Sequence, residues 1–360
     1  MERRILGKTG WSLAVIGFGA IKLPRIGIKE CEILLNRALD EGINFIDTAD
    51  CYDDSEEKIG RVLKSRRKEF FLSTKVDERD GPGVRKKLER CLRRLQTDAI
   101  DLLFFHDVRG AEYDRIFDSG GLEKLEKARK EGKIRHIGIS IHGSLSMMDR
   151  AVESGAFSAL MVAYSALDED RVTADLLPRA AARGVGLIAM KPLAGGRLGN
   201  HPKDWDVRAF RGESPAQVAL RYTLSNPHIT CAIPGMTALE ELEENLSVGR
   251  KPRKLSPGEV QKFIEIAGKA GKGFCRNCGY CLPCPEGIPI PDIFRFENYY
   301  REYGLPQWAQ SQYASLTKNG ADCSGCEQCL EKCPYGVAIP SDLKRAHGIL
   351  KSTPKKALSR

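Results

Sequence analysis

Four side chains that could together protonate a reacting oxygen occur in three apolar stretches of the sequence: Asp47 and Tyr52, then Lys75, then His106. A tyrosine hydroxyl with an ordinary pKa of about 10 is a poor proton donor at neutral pH. A neighbouring ammonium group stabilises the phenolate and lowers that pKa, and a carboxylate can hold the ammonium in place. A histidine beside the same oxygen can orient a carbonyl group. These residue types predict acid catalysis on a carbonyl that receives a hydride.

Each of these four residues also has a structural explanation. Asp47 could cap the turn that follows it, Tyr52 could be a rim aromatic, and Lys75 could be a solvated lysine at a strand end. His106 could be a histidine whose hydrogen bonds are satisfied in the core. The catalytic interpretation is favoured because the four residues occur, in order, at the ends of successive apolar strands.

The elements that must position these residues alternate between apolar strands and amphipathic helices from Leu13 to Met236. We predict strands at Ala14–Leu23, Asn44–Thr48, Phe70–Val76, Ile100–His106, Ile134–Ser140, Ala159–Tyr164, Gly186–Lys191 and Ile229–Pro234. Continuous apolar strands that alternate with helices indicate a parallel sheet covered on both faces. Eight such units predict an α/β fold, a (β/α)₈ TIM barrel, in which all strand ends meet at one face.

Local signals place several helices and turns. We predict helices at Cys31–Leu39, Gly83–Leu95, Gly121–Glu131, Ser146–Ser154, Pro215–Leu224, Ala238–Val248 and Pro257–Lys269. Gly42 suits a helix C-terminus, and Ser214-Pro215 suits a helix start. An N-terminal β-hairpin is expected to turn at Lys8-Thr9-Gly10. Because Gly17-Phe18-Gly19-Ala20 lacks the third glycine of a dinucleotide-binding turn, a doubly wound domain is disfavoured.

Composition fits a globular protein of 360 residues, with 42% hydrophobic residues, 29% charged residues and a net charge of +9. The basic runs, such as Arg85-Lys86-Lys87 with Arg93-Arg94, lack interleaved aromatics, which favours a solvated face over nucleic-acid binding. Arg3-Arg4 ahead of an apolar run superficially suggests a signal peptide, but Lys8-Thr9-Gly10 interrupts the run. No apolar run approaches membrane-spanning length. We therefore expect a cytoplasmic protein without membrane insertion.

Eight of the twelve cysteines crowd into the last quarter of the chain with metal-type spacing. The run Cys323-x₂-Cys326-x₂-Cys329-x₃-Cys333-Pro334 has the spacing of bacterial ferredoxins. The run Cys275-x₂-Cys278-x₂-Cys281-x₂-Cys284-Pro285 is one residue shorter before its last cysteine. Zinc is the alternative, but zinc sites usually have separated cysteine pairs. Such thiols indicate a reducing compartment. The isolated Cys31, Cys51, Cys91 and Cys231 are expected to be small buried residues.

The two cysteine runs end alike, in Pro285–Pro291 and Pro334–Pro340, which indicates an internal repeat. This repeat predicts two [4Fe–4S] clusters with exchanged fourth ligands. One set would be Cys275, Cys278, Cys281 and Cys333, and the other Cys323, Cys326, Cys329 and Cys284. The shorter spacing and the intervening segment from Asp292 to Asp322 leave a single cluster as an alternative.

The motifs around Asp47, Tyr52, Lys75 and His106, which we call the tetrad, resemble those of the aldo-keto reductase superfamily over roughly residues 1–250. The matching residues are Asp47-Thr48-Ala49 with Tyr52, Ser73-Thr74-Lys75, His106, Gly138-Ile139-Ser140, Met190 to Gly196, and Ile233-Pro234-Gly235 leading to Glu244-Asn245. With the cysteine runs, the chain resembles an iron–sulfur subgroup of that superfamily. The resemblance implies that Tyr52 is the general acid, Lys75 its pKa modulator, Asp47 the partner of Lys75, and His106 the substrate-orienting group.

The resemblance further implies that NADPH or NADH lies across the barrel mouth. Ser140 would reach the carboxamide, and two loops would hold the pyrophosphate and adenosine. The residues expected in these loops are Lys191, Leu193, Gly195 and Arg197, then Gly235, Met236, Thr237, Glu241, Glu244 and Asn245, and Met190 on the seventh strand is also expected at the cofactor.

Several positions depart from the superfamily pattern. Ile141 and Met161 replace the amides that often hold the carboxamide, so His142 is expected to contribute instead. Tyr164 is interpreted as a rim or core aromatic, since the seventh strand offers Met190 at the cofactor. Gly235 and Glu241 occur where cations often bind a phosphate, so NADH is at least as plausible as NADPH.

The expected domains are a barrel at 1–250, a helical connector at 251–272, a small, mostly helical ferredoxin-type domain at 273–345 and a basic tail at 346–360. In one hypothesis the barrel reduces a small-molecule carbonyl and the clusters are structural or redox-sensing. In a second, the clusters link a redox partner protein to a barrel-bound substrate or flavin. In a third, the barrel is catalytically inactive and the protein transfers electrons, although the intact tetrad argues against this.

Overall fold

The computed structural model describes residues 1–110, 112–167, 172–199 and 205–351 of the chain. By its internal contacts the chain divides into two compact units, Met1–Gly268 and a second unit that begins at Lys269. Of the predicted basic tail, residues 346–350 belong to the last helix and residues 352–360 lie outside the described part. In the described residues, no helix is both long enough and apolar enough to cross a membrane.

The first unit contains a two-stranded hairpin, an eight-stranded parallel sheet and the helices that cover it. The strands are β1 Arg3–Ile5, β2 Ser12–Ala14, β3 Phe18–Gly19, β4 Phe45–Asp47, β5 Phe71–Val76, β6 Ile100–Phe105, β7 Ile134–Ile141, β8 Ala159–Ala163, β9 Gly186–Met190 and β10 Cys231–Ala232. The α-helices are α1 Ile28–Asp40, α2 Ser55–Leu63, α3 Gly81–Arg94, α4 Glu112–Asp118, α5 Gly121–Lys130, α6 Leu145–Glu153, α7 Leu177–Ala182, α8 Pro215–Ser225, α9 Leu239–Arg250 and α10 Pro257–Ala270.

Strands β3 to β10 pair in chain order, and the sheet closes on itself between its first and last strands. Parallel bridges join Ile16 to Ala232 and Gly19 to Gly235. The amide of Gly19 donates to the Pro234 carbonyl at 3.0 Å. A Cβ atom at Gly19 would lie 2.7 Å from the Ile233 carbonyl oxygen, so only glycine permits this close approach. The predicted (β/α)₈ barrel is confirmed.

The first predicted strand, Ala14–Leu23, is wrong in its extent. Ala14 pairs with Arg3 in the N-terminal hairpin, and residues Ala20–Arg25 form a 3₁₀-helix. Pro24 within that helix has no amide hydrogen to donate to a sheet ladder. Only Phe18 and Gly19 therefore pair with β4.

Side chains alternate between the barrel interior and the helix-covered outside, as the two-residue period of a strand requires. On β6, Leu102 packs with the interior cluster, whereas Leu103 packs with the outer one. The hairpin contributes Leu6 and Leu13 to the interior cluster, where they pack with Phe45. This apolar floor leaves the strand C-termini as the open end for polar side chains.

Helix ends follow the predicted sequence signals. Ser214 accepts a hydrogen bond from the Gln217 amide while the Gln217 side chain accepts from the Ser214 amide, which forms a capping box at α8. Gly42, with φ of 92°, ends α1 and donates its amide to Leu39. The helix expected as a connector, α10, packs within the first unit through Phe263, whose ring lies 6.2 Å from that of Phe210.

The second unit is mostly helical, as predicted. Its helices are α11 Ile290–Glu302, α12 Pro306–Ala314, α13 Gln328–Glu331 and α14 Ile339–Leu350. Helix α11 packs against α12 and α14 around the buried side chains of Ile293, Phe296 and Leu343. The Tyr313 hydroxyl accepts from the Gly320 amide at 3.0 Å and contacts His347 Nδ1 at 2.7 Å. These contacts connect α12 and the loop at Gly320 to α14.

Candidate functional site

A buried ion pair forms the centre of the site at the open end of the barrel. Lys75, on β5, donates from Nζ to Asp47 Oδ2 and to the Thr48 carbonyl, both at 2.6 Å. Ser73 donates its hydroxyl to the other oxygen of Asp47, also at 2.6 Å. The side chains of Lys75 and Asp47 are only 2% and 4% exposed. Strand alternation brings these groups together, since all three side chains point into the barrel from adjacent strands.

The electrostatics of the pair follow from its burial. Burial raises the pKa of the Asp47 carboxyl, while the Lys75 ammonium and the Ser73 hydroxyl oppose that rise. The ammonium has two oxygen acceptors, which offset part of the cost of removing it from water. A positive charge is thereby fixed at the end of β5.

Tyr52 and His106 lie beside this ammonium. Lys75 Nζ is 5.0 Å from the centroid of the Tyr52 ring. The rings of Tyr52 and His106 meet edge to face with centroids 5.8 Å apart. Both residues are nearly buried, at 6% and 5% exposure. The four residues selected from the sequence therefore form one cluster.

The loop that carries Tyr52 is anchored to α3 by charged groups that the sequence interpretation missed. The carboxylate of Asp50, which is buried, accepts from Lys87 Nζ at 2.8 Å and also binds Arg90. Arg94 donates to the Asp50 carbonyl at 2.9 Å and also binds the carbonyl of Asp53. Lys87 and Arg94 thus belong to a half-buried network, which corrects the expectation that this basic run is only a solvated face.

Cys51 is a second residue that sequence reasoning missed at this site. Its Sγ atom lies 3.4 Å from His106 Nδ1, and the contact is buried. The only signal in the sequence was its position beside Tyr52, because the contact joins residues on different strands. Cys51 is a small buried residue as expected, but it is also a member of the cluster.

Another polar group forms where β7 and β9 end. His142 Nδ1 lies 3.0 Å from Lys191 Nζ and 3.8 Å from a carboxylate oxygen of Asp107. Burial, helped by Lys191, keeps the pKa of His142 well below its usual value, although Asp107 acts in the opposite direction. The imidazole is therefore neutral and Lys191 donates to its Nδ1. Ser140, fully buried, accepts at Oγ from the Asp107 amide at 2.7 Å.

The residues expected to bind a dinucleotide differ from one another in burial and in position. Met190, at the end of β9, is nearly buried in the interior cluster, and Leu193 packs partly buried against the outer core. Gly195, with φ of 71°, lies in a 3₁₀ turn, and Arg197 just after it is exposed. Gly235 lies at the barrel closure beside Gly19.

In the segment after β10, the side chains expected at the cofactor are buried to different degrees and bind different groups. The side chain of Met236 is fully buried in the outer core, so it does not reach the barrel mouth. Glu241 accepts at one oxygen from the Thr237 amide at 2.7 Å and from its hydroxyl at 3.2 Å. Asn245 is buried and Glu244 is half-buried on α9. Tyr164 is a core residue whose hydroxyl accepts from the side chain of Asn226.

Two cavities in the second unit are lined by the cysteines. One is lined by Cys275, Cys278, Cys281 and Cys333, together with apolar residues of α11 and α14. The other is lined by Cys284, Cys323, Cys326 and Cys329, and Cys281 also touches it. Sets of four cysteine thiols are the donors that [4Fe–4S] clusters use. The residues present therefore fit such clusters.

Comparison with known proteins agrees with this geometry. Residues 15–267 match the aldo/keto reductase family, and residues 274–342 match a 4Fe-4S dicluster domain. The chain is similar to L-galactose dehydrogenase of Arabidopsis thaliana, with 30% identity over 74% of this chain and 95% of that protein. It is also 30% identical to aldo-keto reductase str7 of Strobilurus tenacellus, over 72% of this chain and 91% of that protein.

Solved structures show the same likeness. The holo form of aldo-keto reductase AKR11C1 from Bacillus halodurans superposes with a TM-score of 0.62 and 26% identity, covering 74% of this chain and 96% of that one. The chain therefore belongs to the aldo/keto reductase family and is an oxidoreductase with a C-terminal 4Fe-4S domain.

The buried ion pair can be tested with a double-mutant cycle. We expect Lys75→Met to lower the free energy of unfolding by about 3 kcal/mol or more, because it leaves the Asp47 carboxylate buried without its ammonium. The double variant Asp47→Asn, Lys75→Met should lose less than the sum of the two single losses. Urea unfolding followed by circular dichroism measures all four proteins.

The matched control is the exposed pair Glu126–Arg129 on α5, whose atoms approach to 2.8 Å with side chains 37% and 49% exposed. Its coupling energy in the same assay should stay below about 1 kcal/mol. A coupling energy for Asp47 and Lys75 no larger than that of the control would contradict the buried-pair interpretation.

Proposed function

We propose that the barrel interconverts a small-molecule carbonyl and an alcohol, with NADH or NADPH as the hydride donor and Tyr52 as the general acid. The observation that carries this proposal is the buried ammonium of Lys75, 5.0 Å from the Tyr52 ring centroid and paired with Asp47. When bound, the dihydronicotinamide supplies a hydride, which carries two electrons to the carbonyl carbon. The protein must then supply one proton to the oxygen.

The proton comes from the hydroxyl of Tyr52. As the carbonyl oxygen acquires negative charge, the Tyr52 O–H bond breaks and the proton moves to that oxygen, which leaves a phenolate. The Lys75 ammonium stabilises the phenolate and so favours the transfer. Asp47 and the Thr48 carbonyl hold the ammonium in place. In the reverse direction Tyr52 takes the proton back from the alcohol.

His106 orients the carbonyl. Its ring packs edge to face on Tyr52, so an oxygen bonded to the phenol also lies near the imidazole. A neutral imidazole can donate one N–H to that oxygen, which polarises the carbonyl without charging the ring. This role needs a fixed ring and a fixed tautomer.

We infer that His142 takes part in holding the carboxamide with Ser140, where this chain has Ile141 and Met161 instead of amides. Lys191 donates to His142 Nδ1 at 3.0 Å, which keeps the remaining ring proton on Nε2. That N–H suits a carboxamide oxygen. The proposal assigns Leu193, Gly195, Arg197 and the loop from Gly235 to Asn245 to the rest of the dinucleotide.

We infer a preference for NADH over NADPH from the loop after β10. The Glu241 carboxylate already accepts the amide and hydroxyl of Thr237, donors that would otherwise suit a phosphate. A carboxylate at this position repels a 2′-phosphate. The preference depends on charge and is therefore expected to weaken at high salt.

We propose that the second unit holds two [4Fe–4S] clusters with exchanged fourth ligands. The two cavities support the sets Cys275, Cys278, Cys281 with Cys333, and Cys323, Cys326, Cys329 with Cys284. The description of the matched domain as a dicluster domain supports the same number. Iron–sulfur clusters move electrons singly, whereas the carbonyl reaction transfers a hydride, so the clusters are proposed to be structural or redox-sensing.

The general acid is tested by Tyr52→Phe. We expect kcat for NAD(P)H-dependent carbonyl reduction to fall at least about 100-fold, because the reacting oxygen loses its proton donor. Binding of NADH, titrated by fluorescence, should change little. Tyr113→Phe is the control, since that hydroxyl binds the Arg150 carbonyl instead. If Tyr52→Phe kept the wild-type kcat, Tyr52 would not be the acid.

The nucleotide preference is tested by Glu241→Gln. Removing the charge should lower KM for NADPH about fivefold and leave KM for NADH nearly unchanged, because two charges 4 Å apart in water interact by about 1 kcal/mol. Glu240→Gln is the control, since Glu240 is its exposed neighbour in the first turn of α9. Equal effects on both nucleotides, or in both variants, would contradict this role of Glu241.

The cluster assignment is tested by iron analysis and EPR on anaerobically purified protein. The wild type should carry about eight iron atoms per chain, as two [4Fe–4S] clusters require. Replacing Cys275 and Cys333 together by Ala removes ligands of one cluster and should leave about four. Replacing Cys275 and Cys284 together should disturb both clusters. The exchanged assignment is wrong if the first double variant loses all of its iron or the second keeps half.

A further inference from the structure

The thiol of Cys51 lies inside the proposed catalytic cluster, but the proposed reaction does not use it. Its Sγ atom is 3.4 Å from His106 Nδ1 in a buried contact, one residue before Tyr52. Three other isolated cysteines, Cys31, Cys91 and Cys231, are also buried. Cys51 directly precedes Tyr52 and contacts His106, so its position has a consequence for the chemistry. This inference rests on the function proposed above.

The consequence concerns the two nitrogens of the His106 ring. A neutral imidazole carries one ring proton, so the nitrogen without it can only accept a hydrogen bond. To donate to a carbonyl oxygen from Nε2, His106 must therefore keep an unprotonated Nδ1. A donor placed at Nδ1 fixes that arrangement, because the partner of one ring nitrogen sets the proton on the other.

The Cys51 thiol has the properties that such a donor needs. Its S–H group is a weak donor, and the distance of 3.4 Å to Nδ1 is suitable for a hydrogen bond from sulfur. Burial raises the pKa of the thiol well above its usual value, so the sulfur keeps its proton at working pH. The same burial makes Cys51 a poor nucleophile, which argues against a covalent role.

Charged groups around the contact come from several elements. Asp50 precedes Cys51 on its loop, Lys75 lies on β5, Asp77 follows that strand, and Lys87 approaches from α3. Lys87 Nζ binds both the Asp50 and the Asp77 carboxylates at 2.8 Å. Asp50 is also paired with Arg90, so two cations from α3 offset the two carboxylates and limit their tendency to draw a second proton onto the imidazole.

We propose that Cys51 is a positioning residue whose thiol donates to Nδ1 of His106 and keeps the ring proton on Nε2 for the substrate carbonyl. Cys51 acts through His106 and does not touch the reacting atoms. A hydroxyl in its place can make the same donation, whereas a methyl group cannot.

The test uses the full-length protein labelled with ¹⁵N-histidine. Two-dimensional NMR distinguishes the two neutral tautomers, and His106→Asn assigns the His106 signals among the six histidines. We expect the Nε2–H tautomer in the wild type and in Cys51→Ser. Cys51→Ala should show a mixture of tautomers. Cys31→Ala, which removes a buried thiol from α1, is the control and should match the wild type.

Kinetics provide the second readout. Cys51→Ala should lower kcat about three- to tenfold, the value of one ordinary hydrogen bond, and leave KM for the nucleotide unchanged. Cys51→Ser should stay within about twofold of the wild type. As the pH is lowered, kcat should begin to fall at a higher pH for Cys51→Ala than for Cys51→Ser. The reason is that the His106 ring protonates more readily when no donor occupies its Nδ1.

Two results would overturn the inference: an Nδ1–H tautomer in the wild type, or wild-type tautomer and kcat in Cys51→Ala. The NMR experiment does not depend on turnover. If the wild type failed to reduce carbonyls, the proposed function would fail while the tautomer measurement still decided whether Cys51 holds His106.

Discussion

A lysine ammonium buried at the end of the barrel is the constraint on which the rest of the site depends. An ion of this kind is expensive to remove from water, and it is tolerated only where acceptors compensate. Asp47 and the Thr48 carbonyl provide those acceptors at 2.6 Å, and Ser73 in turn holds the second oxygen of Asp47. The position of the charge is therefore set by the neighbouring strands β4 and β5 and by the residue that directly follows β4.

The barrel closure and the loop anchor extend that rigidity to Tyr52. Gly19 allows the first and last strands to approach closely enough for the sheet to close, and the hairpin covers the opposite end with apolar side chains. Arg94 on α3 binds the backbone of the loop after β4 at Asp50 and Asp53. A phenol on such a loop is kept near the ammonium, with its ring centroid 5.0 Å from Lys75 Nζ. The charges on α3 therefore contribute to the geometry of the site from outside the barrel.

Much of the fold and the central cluster could be predicted from the sequence because both depend on short-range patterns. Eight apolar runs predicted eight strands, and the rule that strand ends meet at one face brought Asp47, Lys75 and His106 together. What could not be predicted depends on pairs distant in sequence. The contact between Cys51 and His106 spans 55 positions, and the Asp50–Lys87 pair spans 37. The burial of the Met236 side chain could not be predicted for another reason, since its loop follows no strand period that would distinguish outward from inward side chains.

The reactive side chains of the two units differ in kind, and each kind suits a different chemistry. In the barrel, three lysines are each held by another polar side chain: Lys75 by Asp47, Lys191 by His142, and Lys87 by Asp50. Such pairing fixes protonation states, which suits a hydride reaction completed by a single proton. In the second unit the chemistry-bearing atoms are thiols around two cavities, whose linings include proline and isoleucine and, in one of them, also Glu286, Glu327 and Lys332. Sets of four thiol ligands suit one-electron centres. A link between the two chemistries would need a carrier of both single electrons and hydride. The reaction proposed for the barrel takes its hydride from a nicotinamide and its proton from Tyr52, so it requires no electrons from the clusters.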